Sequence, residues 1–323
     1  MSENVDYLVV YGDSYSDIQP ESKATNGPVW SQQLASHWNM ELMSLAKPGA
    51  TFCKNTKKNG SWLKKQVESA TFKDHSATHA IFLGVTDLIE TKGEAKNIKE
   101  WIQCIKDQVT FLCSSNPESR IVIMGVPALE FSPYASAHKS VANDLKQNIV
   151  DFNVALEEEV MDWKDSYKNI EFFDTYLVFS EMLADTSIAN IDNVDDAYWD
   201  KCQGKCNDKM DSYLWWDNLH ITGAGHKAIS NVIESKEYFN IKSTTEDSSS
   251  SLDSAMESIT GLPNDYIRVI SWLVLISILA MLFYMFRHNR VITSLKQKLN
   301  AKIHKAYPSL AASNRNNHEY SLV

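Results

Sequence analysis

Five short apolar runs, each stopping at a small or polar turn and each separated from the next by a helix-like stretch, constrain this chain most. They lie at residues 7–11, 40–46, 78–83, 120–126 and 170–173. Between and after them, helical patterns run from Pro28 and over 61–72, 97–114, 140–163 and 223–233. In 97–114, Ile98, Trp101, Ile102, Ile105, Val109 and Leu112 recur at helical spacing,. Strand and helix alternating five times predict an α/β fold: a parallel five-stranded sheet covered on both faces, with right-handed crossovers.

The first run ends at Gly12-Asp13-Ser14. In open α/β sheets ligands bind at the carboxyl ends of strands, so Ser14 is the first candidate for a reacting group. A serine nucleophile needs a base and an orienting acid. Asp217 and His220, three residues apart, are suitably spaced for a carboxylate to reach an imidazole nitrogen,. Asp13 and Asp17 share one tight turn rather than facing each other across a substrate, so they read as structural and not as a glycosidase pair. No second glycine or Lys-Ser/Thr follows Gly12, which disfavours a phosphate loop. His226 is near His220, but no third ligand stands at metal spacing, so no zinc site is expected,. His75, His79 and His138 read as ordinary surface or loop histidines. A net charge of -10 argues against a nucleic-acid partner,. The five cysteines are an odd number and read as mostly reduced thiols, with Cys104 and Cys113 packing on their helix. Cys202 and Cys206 are near enough to close a small loop in an oxidising compartment, and both states stay open for them.

Several blocks together resemble the SGNH or GDSL-type esterases and acylhydrolases, in their lipase-like branch. Gly12-Asp13-Ser14 with Asp17 resembles the family's first block, and Asn26-Gly27-Pro28-Val29-Trp30 a stretch that often follows it. Ala46-Lys47-Pro48-Gly49-Ala50-Thr51 is similar to the second block, and Gly84-Val85-Thr86-Asp87 falls where the third belongs. Val126-Pro127-Ala128-Leu129 with Ser132-Pro133-Tyr134 is similar to another recurring stretch. Trp216-Asp217-Asn218-Leu219-His220-Ile221-Thr222 resembles the last. The resemblance spans roughly residues 6–235. It implies a flavodoxin-like three-layer α/β/α sandwich. It also implies a carboxylic ester hydrolase without a cofactor, in which Ser14 is the nucleophile, His220 the base and Asp217 its orienting acid. Ser14, Gly49 and Thr86 map onto the oxyanion donors. Thr86 stands where the family has an asparagine, which motivates an alternative: a catalytically silent binding or adaptor domain at a membrane.

Residues 267–286 (IRVISWLVLISILAMLFYMF) are uncharged from Val269 on and long enough to span a bilayer,. The expected layout is therefore a hydrolase domain over 1–240, a Ser/Asp/Glu-rich linker over 241–266, a transmembrane helix over 267–286 and a basic tail over 287–323. Basic residues after the span and acidic ones before it point to a luminal or extracellular domain. No leader-like apolar stretch precedes residue 7, which tips the expectation to a cytosol-facing domain. Asn59-Gly60-Ser61 is a glycosylation acceptor that bears on this choice,. The expected substrate is a small-molecule or lipid ester, and the oligomeric state is left open.

Overall fold

The computed structural model describes residues 6–19, 24–54, 60–70, 77–91, 97–203 and 205–241. Asn59, His75, the expected linker from residue 242, the span and the tail lie outside the described residues. Among the described residues, no helix is long and apolar enough to cross a membrane.

The elements in chain order are β1 Tyr7–Gly12, α1 Trp30–His37, β2 Glu41–Ser44, α2 Leu63–Ser69, β3 Ala77–Phe82, α3 Val85–Glu90, α4 Ile98–Ser115 and β4 Arg120–Met124. There follow α5 Pro133–Ala137, α6 Lys139–Lys164, β5 Ile170–Phe173, α7 Thr175–Ala184, β6 Asn193–Ala197, α8 Tyr198–Cys202, β7 Tyr213–Trp215 and α9 Gly223–Ser235. The main sheet is five-stranded in the order β2-β1-β3-β4-β5, and every pairing in it is parallel. β1 and β3 are its centre and pair in register from Tyr7 with Ala77 to Gly12 with Phe82. Leu8, Val9, Val10 and Tyr11 are fully buried. That burial on both faces is why β1 reads as a continuous apolar run instead of an alternating one.

From β1 the chain steps one way to β2, then crosses back to β3, β4 and β5. Crossovers of one hand travelling in opposite directions place their helices on opposite faces. Accordingly α1 packs on α9, which also meets α7, while α4 packs between α2 and α6. The order reverses between β1 and β3, and such a switch point opens a crevice beyond the strand ends.

Beyond a strand end, backbone groups lose their ladder partners and need others when buried. Two buried amides supply them. Gln66 of α2 accepts from Gly12 N (2.8 Å) and donates to Gly12 O (2.9 Å). Asn153 of α6 accepts from Val126 N and donates to Val126 O, both at 2.8 Å.

Three expectations are corrected. Residues 185–212, read as irregular, contain β6 and α8, and β6 pairs in parallel with β7; the Trp215 indole N–H anchors it by donating to Val194 O at 2.8 Å. Cys53 and Cys104, read as reduced, are joined in a disulfide, as are Cys202 and Cys206; only Cys113 is free. His79, read as a surface or loop histidine, is buried in β3 and bonds the Tyr11 hydroxyl at 3.1 Å.

Candidate active site

Ser14 stands in the turn that follows β1, closed by Ser16 N donating to Asp13 O at 3.2 Å. Asp13, Tyr15 and Ser16 are buried, and Ser14 alone among these four is half-exposed. Ser16 accepts the Trp30 indole N–H at 3.1 Å, which ties the turn to α1. Asn26 accepts from Gly223 N at 2.8 Å and so docks the segment before α1 on the start of α9.

α9 is capped by Thr222, whose side chain accepts from Gly225 N and donates to Tyr213 O. Immediately before it, residues 217–220 fold on the Asp217 carboxylate. One oxygen accepts from Leu219 N (2.8 Å) and His220 N (2.7 Å), and the other bonds His220 Nδ1 at 2.8 Å. Burial pushes the Asp217 carboxyl up. The hydrogen bonds and charge of His220, with the backbone N–H of His220 and Leu219, outweigh it and hold the group below its ordinary value. A carboxylate only accepts, so Nδ1 carries the proton and Nε2 presents a lone pair. Ser14 Oγ lies 2.8 Å from Nε2 and donates to it. The structure thus brings Ser14, His220 and Asp217 into one hydrogen-bonded line, with His220 and Asp217 half-buried. Such a line can withdraw a proton from a hydroxyl as that hydroxyl attacks a carbonyl.

Gly49 lies on the loop after β2 and Thr86 in the first turn of α3, just after β3, on either side of the β1 end. Gly49 has φ 74° and Gly84, two residues before Thr86, φ 115°, conformations that favour glycine. A Cβ at Gly84 would also stand 2.6 Å from Val126 Cγ2. Among the described residues, neither the Ser14 nor the Gly49 N–H donates to another protein group.

Two buried carboxyls brace these loops. Asp87, in the first turn of α3, accepts Phe52 N at 3.2 Å on both oxygens, joining the third loop to the second. Asp13 accepts Tyr15 N at 3.0 Å. Burial pushes Asp13 up to about 6, against the pull of the Tyr15 N–H, the His220 charge and the N–H groups of Thr86 and Val85. Burial also holds Asp87 well above the ordinary value, and the Asp13 charge adds to this against the Phe52 N–H. Asp17 is buried as well and accepts Gln19 N.

His226 is buried on α9 and packs edge-on to Tyr15; burial lowers it to about 3. His138 is exposed and stacks on Tyr134. Cys202, Cys206 and Asp208 cluster closely enough to suggest metal ligands, but the two sulfurs are bonded to each other. The reading from sequence missed Tyr15, Gln66 and Asn153. The side chain of Tyr15 follows directly on Ser14, and its position was the only available signal.

The family profile described as "GDSL-like Lipase/Acylhydrolase" matches residues 8–233. No curated protein matches the sequence. Among solved structures, the chain is similar to a catalytic mutant of an acetylxylan esterase from Geobacillus stearothermophilus: 14% identity, 76% of this chain and 100% of that one covered, TM-score 0.46. A lipase from a goat rumen metagenome shows 12% identity, coverage of 74% and 100%, and a TM-score of 0.45. A member of the lipolytic G-D-S-L family from Veillonella parvula shows 10%, 73% and 99%, and 0.43.

Proposed function

Because the chain belongs to the GDSL-like lipase/acylhydrolase family and is an ester-bond hydrolase, we propose that it cleaves carboxylic esters, lipid acyl or acetyl, through an acyl-enzyme on Ser14. The observation that carries this reading is the 2.8 Å contact between Ser14 Oγ and a His220 whose far nitrogen is held by Asp217. Ser14 Oγ attacks the ester carbonyl while its proton passes to His220 Nε2. The resulting oxyanion accepts from the N–H groups of Ser14 and Gly49 and from Thr86. The intermediate collapses, His220 returns the proton to the departing alcohol, and the acyl group stays on Ser14. Water, deprotonated by His220, then releases the acid and restores Ser14. Asp217 keeps His220 in the working tautomer and stabilises the imidazolium. Family membership favours this over the silent-adaptor reading that Thr86 motivated.

The sequence of residues 267–286 supports a membrane anchor for the domain, with the acidic linker before it and the basic tail after it. Two disulfides support a domain on the oxidising side of that membrane,, against the cytosolic orientation expected from the amino terminus. That arrangement also satisfies the positive-inside rule.

Hydrolysis of a p-nitrophenyl ester series from acetate to palmitate tests the function. Turnover that peaks at long chains selects lipid esters, and a peak at acetate selects acetyl esters. No turnover on any member would contradict the proposal.

A further inference from the structure

We infer that Tyr15 is a positioning residue for this hydrolysis: its hydroxyl fixes the Asp217–His220 turn over the nucleophile. The inference rests on the reading of Ser14, His220 and Asp217 given above.

Tyr15 follows Ser14 directly, yet the two side chains part company. Ser14 is half-exposed, whereas Tyr15 is 1% exposed. The phenol ring is wedged among Phe82, His220 and His226, at centroid distances of 5.8, 5.7 and 6.3 Å. Its hydroxyl donates to Leu219 O at 2.5 Å. That carbonyl belongs to the same peptide unit as the His220 N–H, which donates to Asp217 at 2.7 Å. The peptide plane leading into His220 is therefore gripped on both edges, by the Tyr15 hydroxyl and by the Asp217 carboxylate.

The bonds form a circuit. It runs from the Tyr15 hydroxyl through the 219–220 peptide to Asp217, on to His220 Nδ1, across the ring to Nε2, and to Ser14, the residue before Tyr15. Hydrogen bonds in series polarise one another. A donor on Leu219 O strengthens the His220 N–H as a donor to Asp217, and it also sets the height of the imidazole above Ser14. Burial, with the Asp13 and Asp217 charges, keeps the phenol protonated far above neutral pH, so the donor is never lost to titration.

The family takes its name from a Gly-Asp-Ser-Leu block. Tyr15 stands where that name has leucine. A leucine there would fill space but donate nothing, so the tether depends on the tyrosine hydroxyl.

The test uses the full chain and the variants Y15F, Y15L and S14A. Active sites of the wild type and the Tyr15 variants are titrated with a fluorophosphonate, kcat and KM for p-nitrophenyl acetate are measured per titrated site, and S14A is assayed per mole of protein. Loss of folded protein lowers the titrated fraction and leaves the per-site rate untouched. Removing the hydroxyl removes one hydrogen bond, so Y15F is expected to lose about tenfold in kcat with KM unchanged. The fluorophosphonate rate falls in parallel, and Y15L behaves like Y15F. If Tyr15 only packs, Y15F retains the wild-type kcat per site and Y15L alone is impaired, and that result overturns the inference. A fully active S14A would overturn the triad reading itself, and the positioning role with it. An inactive S14A beside a wild-type-like Y15F removes the positioning role alone.

Discussion

Replacing Asp217 by asparagine separates what the carboxylate does for the loop from what it does for His220. Asparagine has nearly the same shape. Its carbonyl oxygen still accepts the N–H groups of Leu219 and His220, now at 2.8 and 2.7 Å. The other oxygen, 2.8 Å from His220 Nδ1, becomes an NH2 group. Two donors cannot face each other, so the imidazole moves its proton to Nε2, where it points at Ser14 Oγ. The base is then in the wrong tautomer and cannot accept the serine proton. In serine-protease triads this exchange costs about 10⁴ in kcat, which is about 5.5 kcal/mol. The fold loses less. Three charge-assisted hydrogen bonds become neutral ones, at about 1 kcal/mol each. In a domain of this size that lowers Tm by about 6–12 °C. D217N should therefore fold, bind substrate with a similar KM and turn over about 10⁴ times more slowly. Steady-state kinetics on p-nitrophenyl acetate with a thermal melt measure both halves. A D217N enzyme within tenfold of wild-type kcat would refute the reasoning.

Thr86→Ala should lower kcat about 10²-fold with little change in KM if the hydroxyl serves the oxyanion, and T86N should recover part of the loss; equal kcat values for T86A and wild type would remove Thr86 from the hole. Breaking the Cys53–Cys104 bridge, which closes a 51-residue separation, should cost about 4 kcal/mol of stability and should loosen the loop that carries Gly49, so a melt and an activity assay in reductant should fall together. His226 is held neutral in the fold, at about 3, against an unfolded value of about 6.5. The unfolded chain thus binds one more proton below pH 6.5, and this stability is whole above that pH and lost as pH falls toward 3. H226Q should therefore lose less stability than wild type between pH 6 and 4, by up to about 1.4 kcal/mol per pH unit, and parallel curves from pH-dependent melts would contradict this.

What was legible in the sequence followed from local physics. β1 and β4 are read easily because a strand buried on both faces must be apolar along its length. Asp217 and His220 were legible because three residues of turn bring them together without help from the rest of the chain. α7 was missed although Asp174 caps it by accepting Leu177 N; its apolar sequence lacks a polar stripe to betray a helix. β6 reads Asn-Val-Asp-Asp-Ala, and no propensity marks it as a strand. It forms because β7 and the Trp215 indole hold it. The Cys53–Cys104 pair and the Tyr15 tether to Leu219, 204 residues away, depend on the fold bringing distant segments together, and local pattern carries no trace of them.

Fluorophosphonate labelling of the full chain bears most directly on Ser14 as the nucleophile. The wild type should take up one label, mapped by mass spectrometry to the peptide containing Ser14, and S14A should take up none and lose ester hydrolysis. A label that persists in S14A, or an ester hydrolase that never labels at Ser14, would contradict the site built on Ser14, His220 and Asp217.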